Sequence, residues 1–128
     1  HDAGNSLNSA IDIGQIEGGF IQGVGWLTTE ELVWDERGEL KTHAPSTYKI
    51  PCASDRPKIF NVRLFDNLNV ENTIYKSKAV GEPPFMLGIS VFLALRNAVS
   101  ACGNEWPILN APATPENILR AIGRVNGT

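Results

Sequence analysis

Residues 78–95 read KAVGEPPFMLGISVFLAL, and this stretch joins a constrained loop to an apolar helix. Gly81 has no Cβ, so its backbone accepts a positive φ and another group can approach it closely. Pro83 disfavours the α region for Glu82 and predicts an extended conformation there. The run that follows is apolar on nearly every face, which predicts a buried helix starting at Pro84.

Glu82 is therefore predicted to lie just before a helix N-terminus, in largely dry surroundings. A carboxylate held rigidly in such a place is positioned as a general base would be. An acidic residue before a helix is also a common cap or dipole partner, which stabilises the first turn by about 0.3–1 kcal/mol. The residue types by themselves favour this structural interpretation.

A second helix is predicted from Ser9 to about Leu27, because apolar side chains recur there at spacings of three and four. Ser9 followed three residues later by Asp12 resembles a capping arrangement, which predicts Ser9 as the cap. Each glycine inside a helix costs about 1 kcal/mol relative to alanine, so something must offset the glycines of this segment. Either they form a tight helix contact, or backbone amides and Gln15 donate hydrogen bonds to the polar edge of a ligand. The spacing does not separate these alternatives. A second stripe, roughly opposite the large apolar one, consists of mostly small residues: Ala10, Gly14, Gly18, Gln22 and Gly25.

The remaining segments predict strands and one short helix. Residues 31–34 and 39–42 predict a hairpin, and the alternating pattern of residues 59–65 predicts a further strand. Thr114 followed by Pro115 predicts the start of a C-terminal helix that carries Ile118, Leu119 and Ile122 inward. The fold class expected is α+β, a small antiparallel sheet packed with two long helices and a short C-terminal helix. Without an internal repeat or linker, residues 1–128 are expected to form a single domain.

Composition limits the classes of function. A net charge of −3 and a pI near 5.3 argue against nucleic acid as a partner. The longest apolar run falls short of the roughly 20 residues that cross a membrane, and no signal peptide is visible, so a cytoplasmic protein is expected. The histidines and cysteines lack metal-ligand spacing, so no metal site is predicted, and two cysteines without a signal sequence are more often free thiols.

Four stretches resemble one family, the molybdenum hydroxylases of the xanthine dehydrogenase and aldehyde oxidase type. They are residues 4–18, with GNSLN and IDIGQIEG, then 45–51 (PSTYKIP), 78–84 (KAVGEPP) and 111–116 (APATPE). Their order is that of the family, and together they span nearly the whole chain. The resemblance is greatest to the C-terminal part of the molybdenum-cofactor-binding subunit of bacterial xanthine dehydrogenases.

The resemblance implies roles for four residues. Glu82 matches the catalytic base of the family, and Gln15 matches a glutamine that lies against the molybdenum cofactor. Lys78 and Gly81 match residues near that cofactor, and Lys78 would neutralise its anionic oxygens. The residues alone equally suit an interface lysine at position 78. Molybdenum is held in the family by the pterin dithiolene, so no side chain of this segment is expected to bind the metal.

The reaction implied is oxidation of hypoxanthine or xanthine, with water as the oxygen source. In the family a base deprotonates a molybdenum-bound hydroxyl, the oxygen attacks the substrate carbon, and hydride passes to a sulfido ligand. Aldehydes or other N-heterocycles are the alternative substrates. Outside this reaction, two alternatives are a non-catalytic cofactor-binding module, which would not need Glu82, and a purely structural lobe.

The chain opens on His1 rather than on methionine, and the family resemblance begins at once. We therefore expect a fragment of a larger subunit, whose remaining lobes and subunits are its partners. The resemblance places the 2Fe–2S, FAD and NAD sites on those other segments. Alone, the fragment is expected to be inactive, to retain no cofactor, and to associate with itself through exposed apolar surface.

Overall fold

The computed structural model describes residues 1–127, and its regular structure is helical. Three α-helices occur: α1 (Ser9–Thr28), α2 (Ile89–Ser100) and α3 (Pro115–Val125). Short 3₁₀ helices occupy Ala53–Asp55, Ile74–Lys76 and Pro83–Gly88, the last running directly into α2. Long connections without regular structure, such as residues 29–52 and 56–73, join these elements.

The predicted α+β fold is wrong, because residues 1–127 contain no sheet. Antiparallel pairing is limited to two isolated bridges, Gly4 with Ser77 and Trp34 with Leu40. The second lies in the predicted hairpin, which has a turn but no extended ladder. Residues 59–65 keep their alternation, with every second side chain partly buried, yet they do not form a strand. Alternation specifies which side chains face inward, whereas a sheet also needs partner strands, and an isolated hairpin is marginal in water.

Helix α1 confirms the predicted segment, with one change at its start. Asn8 rather than Ser9 is the N-cap, and its Oδ1 accepts a hydrogen bond of 3.3 Å from the Ile11 amide. The glycines Gly19 and Gly23 are buried where α1 meets the 3₁₀ helix Pro83–Gly88. A Cβ on Gly19 would lie 3.0 Å from the Cβ of Pro84, and one on Gly23 would run into the Phe85 carbonyl oxygen.

The apolar run after Pro84 is helical as predicted, but most of it is not buried. Pro84 and Gly88 are buried against α1, and Val99 is buried near the end of α2, whereas Met86 is 59% exposed. By length and composition alone Pro83–Ser100 could cross a membrane, although the sequence suggested a run too short for that. One such helix is weak support for a membrane span.

A small core forms where α2 and α3 meet. Thr114 is the N-cap of α3 as predicted, with Pro115 at the first position, and its Oγ1 accepts a 3.3 Å hydrogen bond from the Asn117 amide. Leu119, predicted to point inward, is 70% exposed. The Ala113 amide donates to the Leu27 carbonyl at 2.7 Å and ties this core to the end of α1. The core consists of Val99, Leu109, Ala113, Ala121 and Val125.

Candidate functional site

Glu82 lies at the start of the 3₁₀ helix, in a conformation that differs from the prediction. Its φ of −91° and ψ of −12° are in the α region rather than extended. Proline disfavours this region for the preceding residue without forbidding it, and here a 2.9 Å hydrogen bond from the Phe85 amide to the Glu82 carbonyl closes the turn. The side chain is exposed, contrary to the dry surroundings predicted, and makes no hydrogen bond within residues 1–127.

Gly81 has the positive φ that the sequence suggested, +56°. A Cβ at this position would lie 3.7 Å from Pro83 Cδ, which is an ordinary contact. Space therefore permits a side chain at position 81, whereas the left-handed backbone favours glycine. The loop before Glu82 takes its direction from this residue.

Gln15 lies on the exposed surface of α1, one turn before both Gly18 and Gly19. Side chains three and four residues apart on a helix are neighbours. Because Gly19 contacts Pro84, α1 brings Gln15 to the side of the helix on which the Glu82 segment packs. The side-chain amide of Gln15 makes no hydrogen bond in the described part of the chain.

An open groove runs along the neighbouring face of α1. It has a volume of about 800 Å³, and its lining residues include Gly14, Gly18 and Gln22 of the helix. Apart from the adjoining backbone of α1 itself, no atom of residues 1–127 would lie within 4 Å of a Cβ on Gly14 or Gly18, so the main chain of α1 is accessible there. The predicted stripe of small residues thus divides: Gly14 and Gly18 face the groove, which we call the α1 groove, whereas Gly25 packs against Glu30 and Pro51.

The far wall of the α1 groove contains a polar pair that the sequence does not indicate. The Tyr48 hydroxyl donates a 2.6 Å hydrogen bond to Oε2 of Glu30, whose side chain is buried. This carboxylate raises the pKa of Tyr48, with a smaller contribution from burial. The residues are 18 positions apart, and no spacing pattern links them. The only available signal was the position of Tyr48 within the PSTYKIP stretch.

Lys78 is engaged by two carboxylates that the sequence did not indicate. Its Nζ lies 2.6 Å from Oδ2 of Asp2 and 3.1 Å from Oε2 of Glu71. It lines a second groove of about 790 Å³, together with Asp12 and Ile16 from α1. The Lys78 side chain therefore shares this groove with the N-terminal half of α1, and its ammonium is already paired with Asp2 and Glu71.

The ion pair of Lys78 with Asp2 gives a testable pH dependence. The Lys78 ammonium, aided by the Gly4 amide, lowers the pKa of Asp2 from its ordinary value of 3.8. Because the folded pKa is lowered, the pair contributes to stability above pH 3.8, and its contribution is lost as the pH falls through the folded value. We expect the Lys78→Gln change to move the Asp2 pKa back towards 3.8 in a carboxyl NMR titration. Lys41→Gln, which removes a comparable cation paired with Asp35, should leave Asp2 unchanged; a shift of equal size in both variants would contradict this assignment.

Within residues 1–127 no group of three or more His, Cys, Asp or Glu side chains is arranged to hold a metal ion. Cys52 and Cys102 are exposed free thiols. The candidate site therefore offers the Gln15 side-chain amide and the Glu82 segment on one side of α1, open backbone on the neighbouring face, and a paired lysine in the second groove.

Comparison with known proteins gives a consistent family. A family model described as molybdopterin cofactor-binding domain matches residues 1–57. The xanthine dehydrogenase of Oryza sativa subsp. japonica is 48% identical over 94% of this chain and 10% of its own length. The xanthine dehydrogenase/oxidase of Felis catus is also 48% identical, with the same two shares. The xanthine dehydrogenase of Dictyostelium discoideum is 49% identical over 91% of the chain and 9% of its own length.

Solved structures agree with the sequence relatives. Quinoline 2-oxidoreductase from Pseudomonas putida 86 superposes with a TM-score of 0.79 at 28% identity, over 97% of this chain and 15% of that one. A Cu,Mo-CO dehydrogenase shares the fold alone, with a TM-score of 0.70 at 22% identity over 98% of this chain and 15% of its own. The chain spans about a tenth of the length of the curated relatives it matches. Over almost all of its own length it belongs to the xanthine dehydrogenase family of molybdenum hydroxylases.

Proposed function

We propose that this chain forms one domain of a longer enzyme that hydroxylates hypoxanthine and xanthine. The observation that carries the proposal is the 48% identity to xanthine dehydrogenases over 94% of the chain. The quinoline oxidoreductase, with its different heterocycle, is only 28% identical. Location in the cytoplasm and assembly with further lobes that carry 2Fe–2S, FAD and NAD sites belong to the same proposal.

The residues present fit a molybdenum–molybdopterin cofactor. Gln15 is exposed and its amide is free to donate a hydrogen bond to a polar ligand edge. The α1 backbone is open at Gly14 and Gly18, so a ligand can approach it closely there. When bound, the cofactor would supply the redox and oxygen-transfer chemistry that no side chain of this chain can perform.

Glu82 is proposed as the general base. Its carboxylate is exposed and has no competing partner within residues 1–127, so it is available to accept a proton. Its backbone is fixed on the following side, because Pro84 is fully buried against Gly19. A base must come within about 2.6–3.2 Å of the proton it accepts, and a fixed backbone limits the search for that position.

Lys78 and Gly81 are proposed to complete the cofactor surroundings, with different roles. Gly81 sets the direction of the loop through its left-handed backbone. Lys78 can neutralise an anionic oxygen only by sharing its ammonium with Asp2 and Glu71, or by leaving them. Since two carboxylates face one ammonium, this triad as a whole carries negative charge.

The proposal is tested by the substrate range of the longer protein that contains this chain. We expect its kcat/KM to be higher for xanthine and hypoxanthine than for an aliphatic aldehyde, an aromatic aldehyde or quinoline. Steady-state rates with a dye acceptor make the comparison independent of the natural electron acceptor. A preference for aldehydes or quinoline would leave the family unchanged and reject the purine assignment.

The non-catalytic alternatives rest on a separate observation, the apolar surface of this chain. Several large side chains are almost fully exposed, among them Phe65 at 86% and Val70 at 90%. Such surface suits a lobe covered by other parts of a longer protein, or self-association of the separate chain. A structural lobe would not depend on the charge of Glu82, so replacing Glu82 by glutamine separates it from an enzyme.

A further inference from the structure

Two consecutive residues before the loop to Glu82 have a left-handed backbone. Tyr75 has a φ of 51° and Lys76 a φ of 58°, and neither is glycine. A side chain in this region is sterically unfavourable, because its Cβ comes too close to the neighbouring carbonyl oxygen. Two such residues in succession persist only if the surrounding structure holds them.

The side chain of Asn69 makes the contacts that hold this turn. Its Nδ2 donates a hydrogen bond of 2.8 Å to the Lys76 carbonyl and one of 3.2 Å to Oγ1 of Thr73. Its Oδ1 accepts one of 3.1 Å from the Glu71 amide. Asn69 is partly buried, so these hydrogen bonds are partly shielded from water.

Asn5 joins the same turn to the N-terminal segment. The backbone N–H of Asn5 donates a hydrogen bond of 2.9 Å to the Lys76 carbonyl. The side-chain Oδ1 of Asn5 accepts one of 2.8 Å from the backbone N–H of Asn69. The Lys76 carbonyl therefore accepts two hydrogen bonds, both from the network centred on Asn69. Gly4 permits this approach, since a Cβ there would lie 2.5 Å from the Lys76 oxygen.

The turn determines where the chain goes next. Directly after it Ser77 bridges to Gly4, and the Lys78 amide donates to the Ala3 carbonyl at 2.9 Å. Three residues then lead to Glu82, and one of them, Val80, is buried. Glu82 is thus held between two attachment points: the Ser77–Lys78 backbone on one side and Pro84 on the other.

We propose that Asn69 is a positioning residue for Glu82: its side chain locks the left-handed turn at Tyr75 and Lys76, and so fixes the first attachment point. This inference rests on the proposed role of Glu82 as base. Asn69 itself lies on the second groove, and its hydrogen bonds go to Asn5, Glu71, Thr73 and Lys76 rather than to Glu82 or Gln15. Its effect on the reaction passes through the backbone.

The test compares Asn69→Ala with Asn72→Ala in the longer protein. Asn72 lies on the same loop, is exposed, and makes no hydrogen bond in the described chain, so it is the matched control. Hydrogen exchange of the peptide covering residues 77–82 reads the attachment directly and needs no activity. We expect exchange about tenfold faster in Asn69→Ala and unchanged in Asn72→Ala, because lost hydrogen bonds make local opening easier. Unchanged exchange in Asn69→Ala would overturn the inference.

A second substitution distinguishes a positional role from general damage. Glycine adopts a positive φ without steric penalty, so Lys76→Gly should restore slow exchange in the Asn69→Ala background. In the purine assay we expect Asn69→Ala to lower kcat about tenfold at unchanged KM and molybdenum content, and the double variant to recover most of it. Equal losses with and without Lys76→Gly would overturn the positioning role. A wild-type protein inert to purines would instead reject the proposed function, while the exchange data still decide whether Asn69 holds the turn.

Discussion

Glu82→Gln should remove nearly all turnover of purines by the longer enzyme while its molybdenum content stays unchanged. Glutamine has almost the same shape as glutamate but cannot accept the proton. Since the Glu82 side chain makes no hydrogen bond within residues 1–127, the substitution breaks no contact of the chain. A positioned general base typically contributes a factor of about 10²–10⁴, so a loss of that size in kcat is expected. The measurement is steady-state oxidation of xanthine, with molybdenum determined on the same samples.

Two further variants test the interpretation. Glu36→Gln removes an exposed carboxylate from the turn after Trp34 and should leave kcat unaltered. Glu82→Asp keeps the negative charge on a side chain that is shorter by one methylene group. Its activity should therefore be intermediate between that of wild type and that of Glu82→Gln. Wild-type turnover in Glu82→Gln at full molybdenum content would reject the catalytic role and favour a structural lobe. Loss of molybdenum together with activity would assign Glu82 to cofactor retention instead.

The helices were predictable because their signals are local. Thr114 followed by Pro115 supplies both the cap and the first residue of α3, and the structure uses both. The apolar spacing of α1 gave its extent to within a residue. The choice of cap failed, because Asn8 and Ser9 are adjacent and both cap well. In such cases only the backbone conformation decides which side chain reaches the amide.

The sheet and the exposure of the apolar run were not predictable from local pattern. Strand pairing and burial depend on what covers a segment, and neither is encoded in its own alternation or hydropathy. The chain has enough apolar side chains for a larger core, yet many of them face solvent in residues 1–127. Relatives about ten times longer offer further polypeptide to cover them.

The candidate site was predictable in its residues but not in its geometry. Gln15 and Glu82 could be singled out by motif, and their common side of α1 follows from the contact between Gly19 and Pro84. The partners of Lys78 could not be found, since Asp2 is 76 residues away in sequence. The α-region backbone of Glu82 also depends on one hydrogen bond that the preference before proline does not anticipate.

Gly23→Ala should destabilise the chain by about 2 kcal/mol, whereas Gly18→Ala should stabilise it by up to about 1 kcal/mol. A Cβ on Gly23 would run into the backbone carbonyl of Phe85, which cannot move without separating the two helices. Overpacking of this kind costs about 1–3 kcal/mol, here at the upper end, and the gain in helix propensity offsets about 1 kcal/mol. A Cβ on Gly18 would meet nothing of residues 1–127 within 4 Å apart from the adjoining backbone of α1, so its alanine variant keeps only the propensity gain.

Urea unfolding followed by helix circular dichroism, at several protein concentrations, measures the two variants against each other. We expect the urea midpoint to be highest for Gly18→Ala, intermediate for wild type and lowest for Gly23→Ala. A midpoint below that of wild type in Gly18→Ala would mean that another segment covers α1 at the groove. In the longer enzyme, the same two variants distinguish an effect on helix packing from an effect on cofactor binding. If the open backbone at Gly18 faces the cofactor, Gly18→Ala should lower molybdenum content although it stabilises the helix. An unchanged molybdenum content in Gly18→Ala would mean that the α1 groove is not part of the cofactor site. Gln15 would then be the residue through which α1 contacts the cofactor.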